Sequence, residues 1–137
     1  MGTFITKLSA VNPNDRKKST MQFDALVDTG SHMSWIPKDA LISAGIAPEG
    51  TKRFRTATQQ LTVREYGYAI LKAGKYTTID EVVFAEKGDS ILLGVRTIEG
   101  FGVLVDNIEG RFIPIDGFVT GIALDSTDIE AVDREDS

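Results

Sequence analysis

Two short, wholly apolar runs, each closed by a turn, constrain this chain more than any other feature. Ala25-Leu26-Val27 runs into Asp28-Thr29-Gly30-Ser31, and Ile91-Leu92-Leu93 runs into Gly94. A run with no polar alternation reads as a strand buried on both faces. Asp and Gly are common turn formers at the end of such a strand.

Around these runs the pattern is mostly strand. Thr3 to Leu8 alternates, and Asn12-Pro13-Asn14-Asp15 is a turn signal. Met21 to Val27 is expected as a second strand. Pro37 to Gly45 predicts a short helix, because Pro37 suits a first turn and Gly45 a stop. Thr51 to Val63 is polar and has no strong core pattern. Leu61 to Leu71 and Tyr76 to Ala85 read as strands joined by the glycine-containing Lys72-Ala73-Gly74-Lys75. Val95 to Gly100 suits one or two helical turns. Val103 to Asp106 and Arg111 to Ile115 suggest a final hairpin around Asn107-Ile108-Glu109-Gly110. With no internal repeat and no Pro/Ser linker, one mostly-β domain over residues 1–120 is expected.

Composition narrows the chemistry. There is no cysteine, which excludes a disulfide framework, a thiol nucleophile and a thiolate-ligated metal. The net charge of −5 lies wholly in the end of the chain, where Asp125, Asp128, Glu130, Asp133, Glu135 and Asp136 face only Arg134. Residues 121–137 are therefore expected to form a solvated acidic tail, too poor in large apolar groups to offset its ordering entropy. The neutral remainder offers no electrostatic footprint for nucleic acid or an anionic membrane. No stretch is long and apolar enough to span a bilayer, and the N-terminus lacks signal-peptide character, so a cytoplasmic location is expected.

The order of the features carries more information than any one of them. An apolar run, Asp28-Thr29-Gly30-Ser31, a helix, a polar strand pair and then Ile91-Leu92-Leu93-Gly94 with a short helix together resemble the retropepsin-like aspartic peptidases. That family includes retroviral proteases and small cellular and bacterial relatives. The likeness covers Thr3 to Ile115, and Ile91 to Asp106 is similar to the closing stretch of bacterial members. It implies an all-β, closed acid-protease barrel with one or two short helices and one lobe per chain. It also implies an aspartic endopeptidase with Asp28 as the catalytic carboxylate, acting on a peptide or protein substrate without cofactor or metal.

The chemistry needs two carboxylates sharing a proton, one ionised to deprotonate water and one protonated to hydrogen-bond the carbonyl oxygen. This chain has one Asp-Thr-Gly, so the resemblance implies a homodimer in which a second copy supplies the other. It assigns Thr29 to a bond across the two-fold axis and Gly30 to a backbone N–H aimed at the carboxylate. Ser31 carries a hydroxyl that can donate to Asp28. Leu93 and Gly94 become the loop passing close to the active-site turn. The segment Arg55-Thr56-Ala57-Thr58-Gln59-Gln60, ending at Leu61, becomes a substrate-covering flap whose tip departs from the retroviral pattern in lacking glycine.

Plainer readings compete. The fold could serve as a non-catalytic dimeric module that binds peptides or proteins, or as a self-processing domain of a longer chain. His32, the only histidine, sits too near Ser31 and Ser34 for a triad, whose members come from separate segments. Trp35 reads as a packing residue. Lys52, Arg53 and Arg55 read as a solvated flap base, and Asp24, Asp80 and Asp106 as structural or exposed acids.

Overall fold

The structure, a computed structural model, describes residues 3–55 and 58–115. In chain order it contains β1 (Phe4–Val11), β2 (Phe23–Val27), β3 (Ser34–Pro37), α1 (Lys38–Ser43), β4 (Gly50–Arg55) and β5 (Leu61–Ala73). These are followed by β6 (Tyr76–Ala85), β7 (Leu92–Leu93), α2 (Val95–Phe101), β8 (Val103–Asp106) and β9 (Arg111–Pro114). The main sheet runs β1-β2-β7-β3-β6-β5-β4, and an added β1–β5 pairing closes all but β4 into a ring. The molecule is mostly β, and the closed barrel expected from the sequence takes the form of this ring-like sheet.

β1 makes the closure possible by serving two partners. Its first half pairs with β2, Phe4 opposite Val27 through Leu8 opposite Phe23, and its second half pairs with β5, Ser9 opposite Lys72 through Val11 opposite Ile70. A strand that changes partner in this way removes an open sheet edge. The ring encloses Leu8, Ala10, Ala25, Val27, Ile36, Leu71, Val82, Phe84 and Leu93, which pack with Leu41 of α1 and Ile98 of α2. The strand period of two puts alternate residues on the opposite face. There Leu26, Leu92 and Trp35, direct cross-strand partners, lie half-buried side by side.

Several elements differ in extent from the sequence reading. α1 is shorter than Pro37 to Gly45, because Pro37 closes β3 in an extended conformation (φ −53°, ψ 132°) and only caps the helix. β3 itself was not foreseen. Its four residues are held by a parallel pairing with β6, Ser34 opposite Val82 through Pro37 opposite Ala85, a partnership too distant in sequence to leave a local signal. The polar stretch from Thr51 holds β4, paired with β5 from Gly50 opposite Tyr66 to Arg55 opposite Leu61. α2 and the β8–β9 hairpin fall within a residue or so of the expected positions. The acidic tail, residues 121–137, lies outside the described residues.

Candidate active site

Asp28 stands where the buried β2 strand gives way to a turn. Its Oδ1 accepts the Gly30 N–H at 2.9 Å, and its carbonyl accepts the Ser31 N–H at 3.1 Å, which closes the turn on itself. A side chain at Gly30 would crowd that oxygen, since a Cβ there would lie 3.2 Å from Oδ1. The carboxylate is half-buried, while Thr29 and Gly30 are exposed. Ser31 behaves differently from the sequence reading. Its hydroxyl donates to the Met33 carbonyl at 2.8 Å and bends the chain back toward β3 rather than serving Asp28.

The turn is gripped from below by the second apolar run. The Asp28 N–H donates to the Leu93 carbonyl at 3.0 Å, and the Leu26 N–H to that of Ile91 at 3.0 Å. Beyond Gly94 the chain turns into α2, whose first amides have no partner within the helix. The Val95 and Arg96 N–H groups instead donate to the carbonyls of Ser31 (2.8 Å) and His32 (3.2 Å). Gly94 is required by this arrangement, because a Cβ there would overlap the Met33 carbonyl group. Sequence separation of more than sixty residues is thus closed by three main-chain bonds between residues 28–32 and 93–96.

The β4–β5 hairpin carries the predicted flap residues at its tip. Arg55, Thr58, Gln59 and Gln60 are exposed, whereas Thr56 and Ala57 lie outside the described residues. Gln59 takes the left-handed conformation (φ 68°), the role glycine usually fills, and the Arg55 guanidinium donates to its carbonyl at 3.2 Å. The strands alternate cleanly. Arg53, Arg55, Leu61 and Val63 face solvent, and Lys52, Phe54, Thr62 and Arg64 face the body. Phe54 meets Trp35 with ring centroids 5.0 Å apart, so Trp35 joins the hairpin, one residue short of its tip, to the Leu26–Leu92 row.

Ion pairs fasten the hairpin's arms. Lys52 pairs with Glu81 on β6, and Arg64 grips Asp89 with two bonds of 2.6 and 2.9 Å. The Lys52 ammonium holds the Glu81 carboxyl below the usual glutamate range. The Arg64 guanidinium does the same for Asp89, helped by the Glu86 N–H. The basic cluster Lys52, Arg53 and Arg55 is therefore divided by strand alternation, with one member paired and two facing solvent. Asp80, read as structural or exposed, is structural, accepting from Thr97 at 3.0 Å and from the Glu81 N–H at 2.7 Å. Nothing in local sequence announced that contact. Asp106 accepts from the amides of Ile108 and Glu109 and so fixes the β8–β9 turn.

Among the described residues no group of three or more His, Asp or Glu could hold a metal ion, and no helix is long and apolar enough to cross a membrane.

Comparison with known proteins bears on this geometry. The family model described as aspartyl protease matches residues 14–97, a span that contains the Asp28 turn, the β4–β5 hairpin and Gly94. A solved structure of a foamy viral protease–reverse transcriptase in complex with double-stranded DNA is similar over 69% of this chain, at 18% identity and a TM-score of 0.47. This chain spans 15% of the length of that one. No curated protein matches it.

Proposed function

The chain belongs to the aspartyl protease family, and on that premise we propose that it is one half of a homodimeric endopeptidase whose two Asp28 carboxylates, one from each subunit, activate a water. The observation that carries this reading is the Asp28 turn. A single Asp-Thr-Gly stands half-exposed at the end of a buried strand, with Asp28 bonded through its N–H to Leu93 and the two residues after the triplet, Ser31 and His32, bonded to Val95 and Arg96. A catalytic group needs such positioning, because errors of an ångström cost orders of magnitude in rate.

In this reading the two carboxylates meet at a two-fold axis and share one proton. The ionised member takes a proton from water as it attacks the peptide carbonyl. The protonated member gives its proton to the carbonyl oxygen; the first carboxyl then passes the proton it took from water to the leaving amine, and the second recovers its own as the carbonyl re-forms. Gly30 N–H fixes the carboxylate plane. Thr29 reaches toward its counterpart across the axis. The β4–β5 hairpin, with Arg55 and Thr58 to Gln60 at its tip, lies over an extended peptide and excludes water from it. Leu26, Leu92 and Trp35 lie on Asp28's side of the sheet and offer an apolar floor to the substrate's side chains. The neutral charge balance of residues 1–124 favours peptide over nucleic acid as the substrate.

The test is cleavage of a mixed peptide library across acid to neutral pH, with Asp28→Asn alongside. Internal cuts by the wild type and none by the variant are expected. Equal cleavage by both would remove Asp28 from the mechanism. A wild type inert throughout would favour the binding-module reading.

A further inference from the structure

Below the Asp28 turn lies a chain of hydrogen bonds that runs between side chains rather than along the backbone. The Gly94 N–H donates to Ser34 Oγ at 2.9 Å, Ser34 Oγ lies 2.6 Å from Thr97 Oγ1, and Thr97 Oγ1 donates to Asp80 Oδ2 at 3.0 Å. Ser34 and Thr97 are completely buried, and the Asp80 side chain is 8% exposed. Each hydroxyl has one proton. Because the Thr97 proton goes to Asp80, the proton between the two hydroxyls belongs to Ser34. The chain therefore has a single polarity, from the Gly94 amide through Ser34 and Thr97 to the Asp80 carboxylate.

Asp80 is well placed to end it. Its other oxygen accepts the Glu81 N–H at 2.7 Å and faces the Arg96 guanidinium at 3.5 Å. Arg96 also faces Glu81 at 3.6 Å, and Glu81 is bonded to Lys52. The polar chain thus ties β3, β6 and α2 to the one residue, Gly94, at which α2 turns against the Asp28 loop. A buried hydroxyl with no partner is costly, so apolar replacements at this level are expected to open the junction instead of leaving it in place.

We propose that Ser34, Thr97 and Asp80 are positioning residues that hold the Leu93–Arg96 junction, and through it the Asp28 turn, in its working geometry. Its catalytic consequence rests on the peptidase reading above, whereas its structural content does not. None of the three touches the reacting atoms. They act through Gly94 and through the bonds from Asp28, Val95 and Arg96 to the facing loop.

Two readouts on the full chain separate these layers. The first is amide hydrogen exchange by NMR in Thr97→Val, which keeps the shape and deletes the hydroxyl, and in Asp80→Asn. Exchange at Gly94, Asp28 and Val95 is expected to quicken about tenfold or more, while the β5–β6 ladder keeps its protection. The second is steady-state cleavage, where kcat is expected to fall about tenfold to a hundredfold with KM little changed. Thr97→Ser, which restores the hydroxyl, is expected to recover most of both. Unchanged exchange at Asp28 and Gly94 in both variants would overturn the proposal, as would a kcat loss in Thr97→Ser equal to that in Thr97→Val. Quickened exchange in the two variants, together with a wild type that cleaves nothing, would sustain the positioning role and overturn the peptidase reading.

Discussion

The Asp28 turn and the β4–β5 hairpin lie in one sheet, yet they are held by opposite means. The turn is fixed by main-chain bonds to Leu93, Val95 and Arg96 over a buried polar layer of Ser34 and Thr97. The hairpin is held beyond its ladder by side chains: Lys52 on Glu81, Arg64 on Asp89, Arg55 on Gln59 and Phe54 on Trp35. Main-chain bonds anchored on a buried polar layer tolerate little displacement, whereas partly exposed ion pairs can part and re-form at small cost. The contrast suits a site whose reacting group must stay still while its cover moves.

The largest expected effect lies in the turn. Asp28→Asn should leave the fold intact and lower cleavage by about four powers of ten or more, since the amide cannot act as a base. Circular dichroism and a cleavage assay together check this, and near-normal turnover would contradict it. Gly94→Ala comes next. Its methyl group meets the main-chain carbonyl of Met33, which has no flexible end to move aside. Destabilisation of about 3 kcal/mol in urea unfolding is expected, and a neutral result would mean the junction is looser than described.

The hairpin should respond more gently. Asp89→Asn should cost about 1 kcal/mol of stability at neutral pH, because the pair with Arg64 is partly exposed and screened. The sign of its pH dependence follows from the depressed carboxyl. A group held below its ordinary value stabilises the fold above that value and loses the contribution as pH falls through the folded one. The wild type should therefore lose stability below about pH 4, and Asp89→Asn should flatten that slope in thermal melts. An unchanged slope would show that Arg64 and Asp89 are not paired in solution. Gln59→Gly should have the smallest effect. It relieves a left-handed conformation but frees the unfolded chain, so a change within about 1 kcal/mol of either sign is expected, with greater mobility at the tip.

The same contrast explains what the sequence disclosed. The apolar runs at residues 25–27 and 91–93 were visible because burial on both faces leaves an unbroken signature. Tyr76–Ala85 was legible from end to end because it is long and its turn carries Gly74. β3 was not visible, since Ser34–Pro37 owes its strand form to β6 and mixes a buried hydroxyl with a proline. β4 left no clear local pattern, although the resemblance implied a strand pair here, because its inward face mixes Lys52 with Phe54 and Lys52 finds its partner on β6. The Asp28 turn could be named from its string, but the destination of the Ser31 hydroxyl could not. Asp80 could be read only as structural or exposed, and Thr97 was not singled out, because a polar residue that is buried only through distant partners resembles, in sequence, one that is exposed.

The central claim is that the working site needs two copies of Asp28. Specific activity followed through a dilution series, with sedimentation on the same samples, tests it most directly. Activity per subunit should fall in step with the dimer fraction, and added Asp28→Asn chain should suppress it further by forming mixed dimers with one competent carboxylate. Activity per subunit that stays constant while the protein dissociates to monomer would contradict the account.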